Sequence, residues 1–160
     1  EHRQELIRLI VETFVAGGEF PAPDEEEAAF LLRWSAAWPL MAWGAVVDGQ
    51  LAGYAILQPD LAAAAARARG GKNMLWRLWL AWRSARPVAA GRLLLGGVLP
   101  AYRGRGIGRQ LWGQAMRDAH AAGWRTMSAG PLADKHPAAG FLLACGAEAR
   151  QSYTIYASAF

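Results

Sequence analysis

The chain has 160 residues, 54% hydrophobic and 19% charged, which supplies apolar material for one buried core and too little charge for a disordered chain. Its formal charge is +4, and its basic clusters favour anionic partners, whether phosphates, nucleic acid or a membrane surface. One cysteine, Cys145, excludes a disulfide framework within the chain and a cysteine-based zinc set, and it suits a reducing cytoplasm.

In chain order, Leu6, Ile7, Ile10, Val11 and Phe14 recur at helical spacing and predict a helix over 3–16, ended by Gly17-Gly18. Asp24 with Glu27 three residues on reads as a capping box. The helix it opens is expected to bury Phe30, Leu31, Trp34 and Trp38 and to stop at Pro39. Met41 to Val47 reads as a strand, Asp48-Gly49 as a two-residue hairpin turn, and Leu51 to Leu57 as the returning strand, closed by Gln58-Pro59-Asp60.

Residues 61–91 begin with an Ala-rich, Arg-spiked stretch running to Gly70-Gly71. A second helical stretch, 73–86, carries Leu75, Trp76, Leu78, Trp79 and Trp82 and ends at Pro87. Its apolar face has three readings: packing on the sheet or on a second subunit, a wall of a substrate pocket, or contact with a membrane interface. Base stacking on nucleic acid is disfavoured, because the stretch offers no strand platform.

Arg92 to Leu99 is an apolar run with two internal glycines, expected to form a buried strand with a bulge or a close backbone approach. Ile107, Leu111, Ala115, Met116 and Ala119 make the stripe of a helix ending at Gly123. A strand over 124–129, a short helix over 137–145 ended by Gly146, and a last strand over 148–156 complete the order. Interleaved strands and helices place the chain in the α/β (α+β) class around one mixed sheet.

Between the fourth predicted strand and the long helix lies Arg103-Gly104-Arg105-Gly106-Ile107-Gly108-Arg109. The first amides of a helix have no partner within it, and the helix dipole adds positive character there. Glycine lets the backbone approach a phosphate, and three arginines add charge and bidentate donors, so the turn suits a pyrophosphate. It is not a P-loop, since no Gly-Lys-Ser/Thr follows. It is a poor dinucleotide fingerprint, since no third glycine falls at the right step and the strand 124–129 ends on Ser128-Ala129.

The run from Val98 through Gly108 resembles the acyl-CoA motif of the GNAT superfamily of N-acetyltransferases, Arg/Gln-x-x-Gly-x-Gly/Ala after a bulged strand, with Arg103, Gly106 and Gly108 matching in order. The resemblance is sharp over 92–156 and rests on element order alone over 1–58. It implies a mostly antiparallel sheet flanked by helices, with a V-shaped CoA cleft between the family's fourth and fifth strands. It also implies one domain over 1–160, with 59–91 as a helical insertion. The chain does not begin with Met, and the reading leaves open a missing first strand or a longer parent protein.

For function, the resemblance implies acetyl transfer from acetyl-CoA to a primary amine by direct attack, without metal. The Val98 amide would polarise the thioester, groups around Val98 and Leu99 would pair with the pantetheine arm, and residues 103–109 would hold the pyrophosphate. Where many members carry a general-acid Tyr this chain has Leu142, and where many carry an Asn it has His136. The predicted fourth strand holds no acid. His136, Tyr102, Tyr153 and Ser128 are alternative proton carriers, and water is another. The rival reading is a catalytically weak acyl-CoA-binding or regulatory module, or half of a larger protein.

Overall fold

The computed structural model describes residues 2–16, 22–35, 40–62, 66, 74–84, 88–130, 132 and 136–150. Gly17-Gly18, Trp38, Pro39, Gly70-Gly71, Pro87 and Tyr153 lie outside them, as does most of the Ala-rich stretch. Helices α1 (His2–Val15) and α2 (Glu25–Ser35) are followed by strands β1 (Met41–Val47) and β2 (Gln50–Pro59). Then come α3 (Met74–Ser84), β3 (Ala90–Val98), a 3-10 turn (Pro100–Tyr102), α4 (Ile107–Ala121), β4 (Thr126–Ala129) and α5 (Pro137–Ala144). Residues 2–129 and 130–150 belong to two compact units.

In the first unit, four strands lie in the order β1-β2-β3-β4. The pairs β1/β2 and β2/β3 are antiparallel and β3/β4 is parallel, giving the expected mixed, mostly antiparallel sheet. Asp48 (φ 50°) and Gly49 (φ 79°) make the turn of the first hairpin, both in the left-handed region that a primed turn requires. One face of the sheet packs Tyr54, Ile56, Leu94 and Leu95 against Ile7, Leu9 and Ile10 of α1 and Ala28 of α2. The other packs Leu57, Leu93, Ala52 and Val98 against the α4 stripe of Ile107, Leu111, Ala115 and Ala119. The sheet therefore lies between two helical layers, each held by the apolar spacing that predicted it.

The Asp24 capping box forms in full. The Glu27 amide donates to Asp24 Oδ1 at 2.7 Å, and the Asp24 amide donates to Glu27 Oε2 at 3.2 Å. The face of α2 differs from expectation, since Phe30 is 57% exposed while Ala28 is fully buried and Leu32 packs on the core. Close approach of α1 favours the small residue over the ring. Strand β2 also runs two residues further than expected. Gln58 and Pro59 pair with Arg92 and Gly91 of β3, while the β1 ladder stops at Leu57/Met41. Pro59 is tolerated there because no strand on the β1 side asks it for a donor. The expected last strand is absent over 148–150, and its remainder lies outside the described residues.

A buried polar contact ties α1 to β2. The Thr13 hydroxyl turns back on Leu9 O (2.8 Å) and Ile10 O (2.9 Å), leaving the Tyr54 hydroxyl to donate to Thr13 Oγ1 at 3.1 Å. Burial pushes the Tyr54 phenol up to about 12 from its ordinary value of 10.0, with the Thr13 hydrogen bond acting the other way. A raised phenol favours the folded state fully below pH 10 and loses that contribution as pH climbs towards 12. The loss is about 2.7 kcal/mol for two pKa units at about 1.36 kcal/mol each. Denaturant titrations at pH 9 and at pH 12 are expected to show a smaller fall in stability for Tyr54→Phe than for wild type. Equal falls would place the ionisation outside the core.

Candidate active site

Strand β3 has two different ends. Its first four residues, Ala90 to Leu93, pair in parallel with Thr126 to Ala129, and there the β4 ladder ends. On the other edge the register steps from Leu57↔Leu93 to Ile56↔Leu95, so Leu94 is an extra residue. Leu94 and Leu95 consequently both pack on the α1 side, as two successive residues do at a bulge. The bulge begins where β4 leaves, and beyond it β3 has no strand partner on that edge among the described residues. The expected bulge is therefore present, at Leu94. Gly97 serves close approach instead, since a Cβ there would lie 2.8 Å from the Thr13 side chain.

Hydrogen-bond parity decides which backbone groups face the open edge. The Leu99 amide donates to Ala52 O at 2.9 Å, which makes Ala52/Leu99 a hydrogen-bonded pair across β2 and β3. The neighbouring pair Gly53/Val98 then turns its Val98 groups away from β2, and two residues earlier Gly96 does the same. The Val98 carbonyl receives Arg103 Nε at 3.1 Å, which leaves the Val98 amide and both Gly96 groups along the edge. Leu99, expected among the pantetheine contacts, has its amide on Ala52 and its carbonyl accepting from the Tyr102 amide at 2.9 Å. Gly96, two residues before Val98 on the same strand, shares its edge.

The edge runs into the Gly-rich turn. Arg103 is extended (φ −66°, ψ 158°), and Gly104 (φ 73°) and Gly106 (φ 79°) are both left-handed, a conformation that only glycine adopts without strain. Gly106 is the N-cap of α4, and Gln110 is the first amide to bond back, to Gly106 O at 3.0 Å. The amides of Ile107, Gly108 and Arg109 thus precede the helical ladder, with no side chain capping them. The side chains of Arg103, Arg105 and Arg109 are exposed around them. Ile107 and Leu111, buried with Ala52 and packed on Val98 and Tyr102, fix the helix start beside the strand end.

Tyr102 is a bracket for this turn. Its hydroxyl donates to Gln50 Oε1 at 3.3 Å, and the Arg105 guanidinium lies over its ring at 5.3 Å from the centroid. The Ser128 hydroxyl donates to Asp60 Oδ2 at 3.4 Å, so a carboxylate from the end of β2 reaches β4 although β3 itself carries none. In the second unit, His136 is the N-cap of α5, with Nδ1 accepting from the Ala138 amide at 3.1 Å, so Nε2 is its remaining ring nitrogen. Leu142 is 6% exposed and carries no titratable group. Tyr153 lies outside the described residues. Among the described residues no three His, Cys, Asp or Glu side chains gather as a metal site.

A family model, the acetyltransferase (GNAT) family, matches residues 4–147. The chain belongs to that family. It is an N-acetyltransferase by membership, with the fold the turn and bulge had implied. Comparison with curated proteins gave no match. Among solved structures, a ribosomal-protein-alanine N-acetyltransferase from Brucella melitensis biovar Abortus 2308 is 23% identical, with TM-score 0.55, covering 98% of this chain and 90% of that one. An aminoglycoside antibiotic 6'-N-acetyltransferase from Acinetobacter haemolyticus is 13% identical, with TM-score 0.63, covering 96% and 92%. The aminoglycoside N-acetyltransferase AAC(6')-Iy, solved with a CoA bisubstrate analogue, is 19% identical, with TM-score 0.61, covering 99% and 92%. At these identities the likeness establishes the fold.

Where the family resemblance leads one to expect a general-acid Tyr this chain has Leu142, whose side chain has no proton to give. Leu142→Tyr is expected to leave acetyl transfer measurable while lowering the melting temperature, since overpacking a filled site costs about 1–3 kcal/mol. Complete loss of turnover in a folded variant, read from amine-dependent thiol release, would instead make Leu142 part of the substrate pocket.

Proposed function

We propose that this N-acetyltransferase carries acetyl from acetyl-CoA to a primary amine by direct attack, and that 1–160 acts as one catalytic domain with 59–91 inserted in it. One observation carries the reading: the free edge of β3, opened at the Leu94 bulge, leads directly into a left-handed glycine turn with uncommitted helix amides. The edge groups of Gly96 and Val98 are spaced to pair with the two amides of a pantetheine arm as an added strand would. The amides of residues 107–109, with the guanidinium groups of Arg103, Arg105 and Arg109, then meet the pyrophosphate.

The amine nitrogen attacks the thioester carbon, and the Val98 amide donates to the carbonyl oxygen as charge develops there. The attack forms the C–N bond; collapse of the adduct then restores the carbonyl, breaks the C–S bond and releases the thiolate, which takes a proton from water. The attacking nitrogen gives up its proton to solvent. No covalent enzyme intermediate is needed. Of the other candidates, the Tyr102 hydroxyl is engaged with Gln50 and His136 Nδ1 with the α5 cap, so we assign Tyr102 a positioning role and keep only Nε2 of His136 as a proton carrier beside water. An amine acceptor is the chemistry common to the structural neighbours, one named for a ribosomal-protein alanine and others for aminoglycosides.

The test is calorimetric titration of CoA into wild type, Gly106→Asn and Gly106→Glu. A Cβ at Gly106 meets nothing within 4 Å, so both variants fit sterically, and both must adopt φ 79°. Asn tolerates the left-handed region better and brings no charge. Binding is expected to survive in Gly106→Asn and to fall by at least about tenfold, or about 1.4 kcal/mol, in Gly106→Glu. Equal affinity of wild type and Gly106→Glu, with both folded by circular dichroism, would remove the pyrophosphate from this turn.

A further inference from the structure

Helix α3 turns its apolar residues outward. Met74 is 77% exposed, Leu75 79%, Leu78 58% and Trp82 51%. Their spacing, i, i+1, i+4 and i+8, confines them to an arc of about 100° on one side of a helix with 3.6 residues per turn. None of these residues belongs to the apolar clusters that hold the sheet among the described residues. Trp76 and Trp79 meet edge to face at 5.7 Å, stiffening the helix beside this stripe.

The surrounding sequence indicates what the stripe meets. Residues 61–91 contain Arg67, Arg69, Lys72, Arg77, Arg83 and Arg86 and no Asp or Glu. A second copy of the chain is a poor occupant, because a two-fold contact would set this uniformly basic segment against itself. Nucleic acid matches the charge but gives Met74, Leu75 and Leu78 no apolar layer to enter. An anionic bilayer matches both features: the aliphatic side chains enter the acyl boundary, and the basic residues meet the headgroups. No described helix is long and apolar enough to cross a membrane, so contact would be peripheral.

We propose that α3 is a docking surface for anionic membranes, holding the domain at the lipid surface through Met74, Leu75 and Leu78. The proposal is independent of the acetyl donor or acceptor.

The test is co-sedimentation of the full chain with vesicles of phosphatidylcholine alone or mixed with phosphatidylglycerol, at low and high salt. The probe variant is Met74→Ser/Leu75→Ser/Leu78→Ser, three exposed positions whose replacement leaves the described core untouched. Wild type is expected to pellet with the mixed vesicles, to ignore phosphatidylcholine and to release as salt rises. The triple variant, with an unchanged circular dichroism spectrum, is expected to bind at least about tenfold more weakly, since each buried CH₂ contributes to partitioning. No sedimentation at low salt, equal binding to both lipids, or equal binding of the variant would overturn the proposal. So would a wild-type dimer that the variant dissociates without any vesicle binding.

Discussion

The hydrogen bond from the Leu99 amide to Ala52 O sets the parity of β3, and the use of the site follows from that parity. An antiparallel strand turns alternate residues' backbone groups to opposite edges. Once Leu99 faces β2, Val98 and Gly96 must face the other way. A shift of one residue would send the Leu99 and Gly97 groups to the open edge and bury the Val98 amide in the ladder. The Leu94 bulge acts together with this parity. It absorbs one residue between the part of β3 paired with β4 and the part that is free, so both stretches keep good geometry with β2 while their outer edges differ.

Packing holds the arrangement from both faces. On one side Gly97 admits the Thr13 side chain, which brings α1 down on the strand beside the open edge, and Tyr54 closes the polar account there. On the other side Val98, the residue whose amide faces the open edge, sends its side chain under Ile107 and Leu111. The same residue therefore fixes both the proposed oxyanion donor and the start of the helix proposed to meet the pyrophosphate. Arg103 adds a third link, from the turn back to the Val98 carbonyl. The donor groups proposed for the two parts of CoA are thus held to one strand end, where preorganisation lowers the cost of ordering them on binding.

Much of this was legible in the sequence because it is local. Asp24 with Glu27, Asp48 with Gly49, and the α4 stripe each depend on residues a few positions apart, and each formed as read. The glycine turn was legible for the same reason. What was not legible depends on partners far away in sequence. The exposure of Phe30 reflects how closely α1 approaches α2, and the survival of β2 through Pro59 reflects where β1 stops pairing. The glycine pair points to a bulge or a close backbone approach; Gly97 makes the close approach, while only register against β2 puts the bulge at Leu94. Which of Gly96, Val98 and Leu99 turn their backbone groups to the open edge is not legible in the sequence, because strand parity needs one known cross-strand bond.

The distribution of charge belongs to the same design. Ten of the thirteen acidic residues lie in the first sixty positions, and none lies between Asp60 and Asp118. The glycine turn and the first three turns of α4 therefore carry no carboxylate of their own to occupy the helix N-terminus. Asp118 is twelve residues along α4 from Gly106, or about 18 Å at 1.5 Å per residue. That is more than twice the screening length of about 8 Å at physiological salt. Its charge is committed locally: hydrogen bonds from Gln114 and then from the Trp43 indole N–H (2.8 Å) hold its carboxyl below the usual carboxylate range, so it stays ionised. An acid near a helix C-terminus opposes the dipole, and these donors offset that penalty while pinning α4 to β1. The helix is anchored at its C-terminal end by an acid with its own donors, and at its N-terminal end its positive potential is left for an anion from outside the chain.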